Sequence, residues 1–249
     1  MMSASDEQSR PSMGDGDFRT THWSIVLAAG RSDSTRARDA LEKLCQTYWY
    51  PLYAFVRRLG HRPHDCEDLV QAFFTQCLEK HYLVAADQAK GRFRSFLLIA
   101  LKRFLANEWD KARTRKRGGG EPPISLDALT AEQRDAVEPA EHLSADRLFE
   151  RRWALTLLDK VLSQLREEQI AAGRSAAFDL LKDSLTGGHA ASYAELAAGL
   201  GRTEGAVKVA VHRLRRRYRE LLEAEISNTV ASREEVADER RYLLSVVSK

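Results

Sequence analysis

Cysteine, proline and long apolar runs are all scarce in this sequence, and each shortage removes a class of protein. Among 249 residues there are three cysteines, Cys45, Cys66 and Cys77, an odd number that does not suit a disulfide framework. Each falls in an apolar-periodic segment, where a free thiol packs as a small hydrophobe and suits a reducing compartment. His61 and His64 lie near Cys66, but no second Cys/His pair with finger spacing follows, so neither a metal site nor a cofactor is expected. No stretch approaches eighteen uninterrupted apolar residues, which predicts no membrane insertion. Met1 to Thr20 is rich in Ser, Asp, Gly and Pro and lacks the apolar core of a signal peptide. It reads as a disordered tail on a cytoplasmic protein. Proline numbers six and is absent after Pro139; there is no internal repeat and no period-two alternation, which leaves an all-α reading.

Net charge is +3, but it is unevenly distributed. Residues 90–117 carry ten basic side chains against Glu108 and Asp110, a net of +8, and residues 202–219 carry seven against Glu204, a net of +6. The rest of the chain is therefore acidic, at −11. Two separated basic segments on an acidic protein point to two contacts with a polyanion.

Apolar spacing then divides the chain. Leu41, Leu44, Cys45, Tyr48, Leu52, Phe55, Val56 and Leu59 recur at helical steps on one helix, or on two joined near Pro51, and Gly60 ends the element. Pro63 opens a second helix with Cys66, Leu69, Val70, Phe73 and Cys77 inward and Glu67, Asp68, Gln71, Thr75 and Glu79 on the other face. After a loop, a third helix turns Leu97, Leu101, Phe104 and Leu105 inward and its basic residues largely outward. Gly118 to Gly120 and Pro122-Pro123 stop it. Helical periodicity resumes with Leu148, Trp153, Leu157, Leu158, Val161, Leu162 and Leu165. The expected layout is a tail (1–35), a helical domain (36–117), a flexible linker (118–145), a second helical domain (146–226) and a C-terminal extension (227–249).

In the second domain, Ser192-Tyr193-Ala194-Glu195 has the form of a capping box. Ala197, Gly201 and Val207 stand at helix-turn-helix spacing: a small residue at the contact, glycine in the turn, and a β-branched residue locking the second helix. Thr203 suits the N-cap of that helix. Val207, Val211, Leu214, Tyr218 and Leu221 face inward, while Lys208, His212, Arg215 and Arg219 face outward. Arg202, Thr203, Glu204, Gly205 and Lys208 are thus placed to enter a major groove, with His212, Arg213, Arg215 and Arg216 beyond them for phosphates. In the first domain, Lys102, Trp109, Arg113 and Lys116 share one stripe of the third helix, an aromatic among cations, as base stacking requires.

Asp65-Cys66-Glu67-Asp68-Leu69-Val70-Gln71-Ala72-Phe73-Phe74 resembles the acidic DLVQ-x-x-F segment of region 2 in bacterial sigma factors. Phe93-Arg94-Ser95-Phe96-Leu97 resembles the FRAWL start of that family's promoter-melting helix, and Ser192 to Arg217 resembles its region 4. The order of these motifs, with a glycine-proline linker and no region 3 between them, is that of the small extracytoplasmic-function (ECF) type. The chain departs from the family pattern at Phe96, where Trp is usual, at Arg103 and Asn107, where Asn and Asp are common, and at Val209-Ala210, where Ser-Arg often follows the lysine. No promoter preference is therefore carried over.

The resemblance implies two small helical domains and a DNA-binding subunit rather than an enzyme. Core RNA polymerase would be the partner, through its β′ clamp helices and β flap, together with promoter DNA and the family's anti-sigma factors. Asp68, Gln71 and an exposed Phe74 would meet the polymerase. Arg92, Phe93, Arg94, Lys102, Trp109, Arg113 and Lys116 would hold the downstream promoter element and its opened strand. A helix-turn-helix repressor or activator acting without polymerase is the alternative. A nuclease using His64, Glu67 and Asp68 is disfavoured, because neighbouring carboxylates on a helix point to different faces. In the extension, Val236, Tyr242, Leu243, Val246 and Val247 form an apolar stripe expected to dock as a helix.

Overall fold

The computed structural model describes residues 35–79, 92–115, 143–185, 191–230 and 232–248, without the side chains of 35–41, 43, 78–79 and 112–115. Among them are eight α-helices and one short 3₁₀ helix, with no strand, as an all-α reading requires. In chain order these are α1 (Thr35–Arg58), α2 (Pro63–Glu79), α3 (Phe93–Arg115), α4 (Ala145–Ala171), α5 (Ser175–Leu181), the 3₁₀ turn (Lys182–Ser184), α6 (Tyr193–Leu200), α7 (Glu204–Ser227) and α8 (Glu235–Val247). The tail up to residue 34, the expected loop from Tyr82 to Arg92 except Arg92 itself, and nearly all of the expected linker lie outside the described residues.

α1 continues through Pro51 as one helix. Residues 50–56 (Tyr-Pro-Leu-Tyr-Ala-Phe-Val) are apolar on every side, and all seven are buried. A helix that is apolar all round belongs at the centre of its bundle. α2 packs on α1 through Cys66, Val70, Phe73 and Cys77, and α3 closes the group through Leu97, Leu101 and Phe104. Burial pushes the Cys77 thiol up to about 12 and that of Cys45 to about 11, so both behave as packed hydrophobes.

The most extensive interhelical contact is that of α1 with α4. Phe149, Trp153, Ala154, Leu157, Val161 and Leu165 of α4 join Tyr48, Leu52 and Phe55 of α1 in one continuous core. The sequence places two helical domains at 36–117 and 146–226, joined by a flexible linker. In the described residues the two halves share packed side chains, because the all-round apolar surface of α1 exceeds what α2 and α3 cover. Polar contacts cross the same seam: Arg58 Nε donates to the Leu143 carbonyl at 2.9 Å, and Lys102 Nζ meets Asp146 at 2.8 Å.

α8 packs on α4 and α7, as its apolar stripe anticipated. Leu243 is buried, and Val236 and Val247 pack against the core. Arg240 pairs with Glu223 of α7.

Candidate nucleic-acid interface

The α6–turn–α7 unit is organised by local chemistry. Ser192 Oγ accepts from the Glu195 amide at 3.2 Å, and the Glu195 carboxylate accepts from the Ser192 amide at 2.7 Å, completing the capping box. The bond from the Ser192 amide, and then that from the Ser192 hydroxyl, which donates to the same carboxylate at 2.8 Å, hold the Glu195 carboxyl below the usual carboxylate range. α6 ends at Gly201, whose φ of 60° and ψ of 36° are left-handed. Arg202 N–H donates to the Ala197 carbonyl at 3.0 Å and Gly201 N–H to that of Ala198 at 3.2 Å, the paired bonds of a Schellman motif. Thr203, extended at φ −78° and ψ 151°, caps α7 by accepting from the Ala206 amide at 3.3 Å.

α7 buries Val207, Val211, Leu214 and Leu221 and leaves Glu204, Gly205, Lys208, His212, Arg213, Arg216 and Arg219 exposed, with Arg202 and Thr203 exposed in the turn before it. Lys208 lies 3.9 Å from Glu204, with its ammonium 5.6 Å from the centre of the Tyr193 ring. Arg215, expected to meet phosphate, donates twice to the Ser184 carbonyl, at 3.0 and 2.6 Å. Short helices end on carbonyls that need donors, and a guanidinium fork supplies two. Arg217 is a strut of a similar kind, gripping Glu168 of α4 at 2.7 and 2.9 Å. Val209 is half exposed beside Lys208, an apolar group of the sort that meets a thymine methyl. Reading inward-facing periodicity alone passes over it.

On α3, Trp109 is 62% exposed, so it is not an edge plug of the bundle. Lys102 shares its exposed side but pairs with Asp146. The side chain of Arg113 and all of Lys116 lie outside the described residues. Phe93 is fully buried, with its ring 5.3 Å from Tyr48 and 6.3 Å from Phe96. Its role in this conformation is packing.

Four further expectations need correction. Arg94, expected outward, is 2% exposed. Its Nε is 2.6 Å from Glu150, its Nη1 pairs with Glu239, and its guanidinium lies between the rings of Trp153 and Tyr242, 4.5 and 4.6 Å from their centres. Arg92 Nε is 2.8 Å from the same Glu239, with its guanidinium 5.2 Å from the centre of the Tyr242 ring. A guanidinium can be buried when carboxylates meet its edge and π faces cover its plane, and here both are present. On α2, Phe74 is buried against Phe73, 5.7 Å between ring centres, so it is not an exposed anchor. Asp68 and Gln71 are exposed as expected, but Glu67 beside them is buried. Leu59, placed on the inward stripe of α1, follows the helix end and is exposed.

His64 and Asp68 approach to 3.9 Å, and no group of three or more metal-binding side chains occurs among the described residues. Nor is any described helix long and apolar enough to cross a membrane. No family model matches the chain, and no curated protein or solved structure matches it either.

Proposed function

We propose that this chain is an ECF-type sigma factor, a DNA-binding initiation subunit of bacterial RNA polymerase with no bond-making chemistry of its own. The observation that supports this most is the α6–turn–α7 unit, a helix-turn-helix with a left-handed glycine in its turn and a basic outer face. The order of the three motifs adds the polymerase to that reading. In this proposal residues 36–117 act as region 2 and residues 146–226 as region 4. Arg202 to Lys208 read the upstream element, while His212, Arg213 and Arg216 approach its phosphates. Asp68 and Gln71 meet the β′ clamp helices, and Trp109 stacks on an unpaired base of the opened strand. Melting is favoured because such contacts exist only once the strands part.

Transcription in vitro with purified core polymerase tests this. The chain should direct initiation from a specific promoter, and Lys208→Glu should abolish it by reversing charge at the groove. Asp68→Ala combined with Gln71→Ala should weaken core binding without loss of helicity. A template that stays silent with core polymerase would defeat the proposal.

The burial of Phe74 favours one second reading, a helix-turn-helix repressor or activator that needs no polymerase. It is distinguished by specific duplex binding from the chain alone.

A further inference from the structure

We infer that α8 is an autoinhibitory clasp, withholding Arg92 and Arg94 from nucleic acid until a partner displaces it. This rests on the sigma reading, which assigns those arginines to the downstream element. The clasp centres on Glu239, whose side chain is 0% exposed. Burying a carboxylate is unfavourable by several kcal/mol unless it is paired. Its partners are the guanidiniums of Arg92 and Arg94, both at the start of α3. Tyr242, one turn further along α8, covers both guanidinium planes. A single turn of α8 therefore offers these arginines the two things that a nucleic acid strand offers: an anion and a flat π surface.

α8 is also seated so that it can leave. Only Glu239 and Leu243 of its thirteen residues are buried, and Leu244 is half exposed. Beside it a cleft of about 120 Å³ runs between α8 and the start of α4, lined by Arg147, Glu150, Tyr242 and Ser245. Beyond the charged knot the anchors of α8 are Leu243, the partly buried Val236 and Val247, and the Arg240–Glu223 pair, a seat small enough for a competing polyanion to displace. The exchange is between like interactions: phosphate and base take the places of Glu239 and Tyr242, and Arg94 keeps Glu150 and Trp153.

The test uses the full chain. Wild type and Glu239→Gln are titrated with a fluorescent single-stranded oligonucleotide by anisotropy over a salt series, and both are assayed for transcription with core polymerase. The clasp requires Glu239→Gln to bind the oligonucleotide roughly five- to tenfold more tightly. Its log–log salt slope should steepen by about 0.7 for each arginine released. Adding Arg92→Ala should reverse most of the gain. Equal affinity and equal slope for wild type and Glu239→Gln would overturn the inference. Should Glu239→Gln fold poorly, hydrogen exchange of residues 235–247 in the wild-type chain decides. Protection in the free protein that is lost on excess oligonucleotide supports the clasp, and unchanged protection refutes it. If no variant transcribes, the sigma reading fails by itself, and the oligonucleotide and exchange measurements still judge the clasp.

Discussion

The two basic segments of this protein are treated in opposite ways by its fold. In residues 202–219 most of the cations stand on the open face of α7, over caps and a turn built from their immediate neighbours. In residues 90–117 Arg94 turns inward, onto Glu150 and Trp153 of α4 and Glu239 and Tyr242 of α8, and Arg92, still partly exposed, pairs with the same Glu239. Clustered charge therefore marks a segment without saying which way it points. A guanidinium faces inward where distant elements bring both carboxylates and rings to meet it, as at Arg94, and stays at the surface where a carboxylate alone reaches it, as at Arg217.

The sharpest way to break this contrast is to make one substitution in both segments. Arg94→Ala strips two carboxylates of a partner, one of them fully buried, and should cost about 3–5 kcal/mol, read as a lowered urea midpoint. Arg213→Ala removes an exposed side chain and should leave that midpoint nearly unchanged. Similar losses from the two would mean that the segments do not differ as described.

The local half of the contrast rests on its turn. Gly201→Ala should destabilise by about 1–2 kcal/mol, and purely through backbone strain, because no atom lies within 4 Å of the added methyl group. Gly199→Ala, two residues earlier and in helical conformation, meets only Leu180 at 3.9 Å and should be neutral or slightly stabilising in the same thermal melts. Thr203→Ala removes the α7 cap and should cost about 1 kcal/mol by chemical denaturation.

The smallest expected effect depends on pH. Glu195 is held below the usual carboxylate range by the Ser192 amide and hydroxyl, so its folded value lies below its unfolded one. Its contribution is then full above the ordinary Glu value of about 4.3 and is lost as pH falls through the lowered folded value. Hydrogen exchange in α6 should show wild type losing protection across that acid range. Glu195→Gln, which has no proton to gain there, should stay flat.

Features decided within a few residues were legible in the sequence. The capping box at Ser192, the turn at Gly201, the cap at Thr203 and the inward stripe of Val207, Val211, Leu214 and Leu221 all stand where pattern and turn chemistry place them. So do the buried stripes of α2 and α3, since their spacing alone sets a face. The docking of α8 was legible for the same reason, from its apolar stripe. Phe74 was misjudged because it borders the inward stripe, and a large ring at such a border goes where the neighbouring helix leaves room.

What no local pattern contained is the company that a side chain keeps across the chain. Glu239 belongs to an extension of zero net charge and has no feature of sequence to separate it from Glu234 or Glu235, yet it alone of the three is buried. Arg94 and Arg213 are equally basic on paper. One packs between Trp153 and Tyr242 and the other is exposed. Helices, caps and faces follow from bonds spanning three or four residues, which the sequence by itself determines. The burial of a charge depends on whether other elements bring both an opposite charge and enough packed surface to keep water away, and at Arg94 and Glu239 only the packing of α4 and α8 decided that.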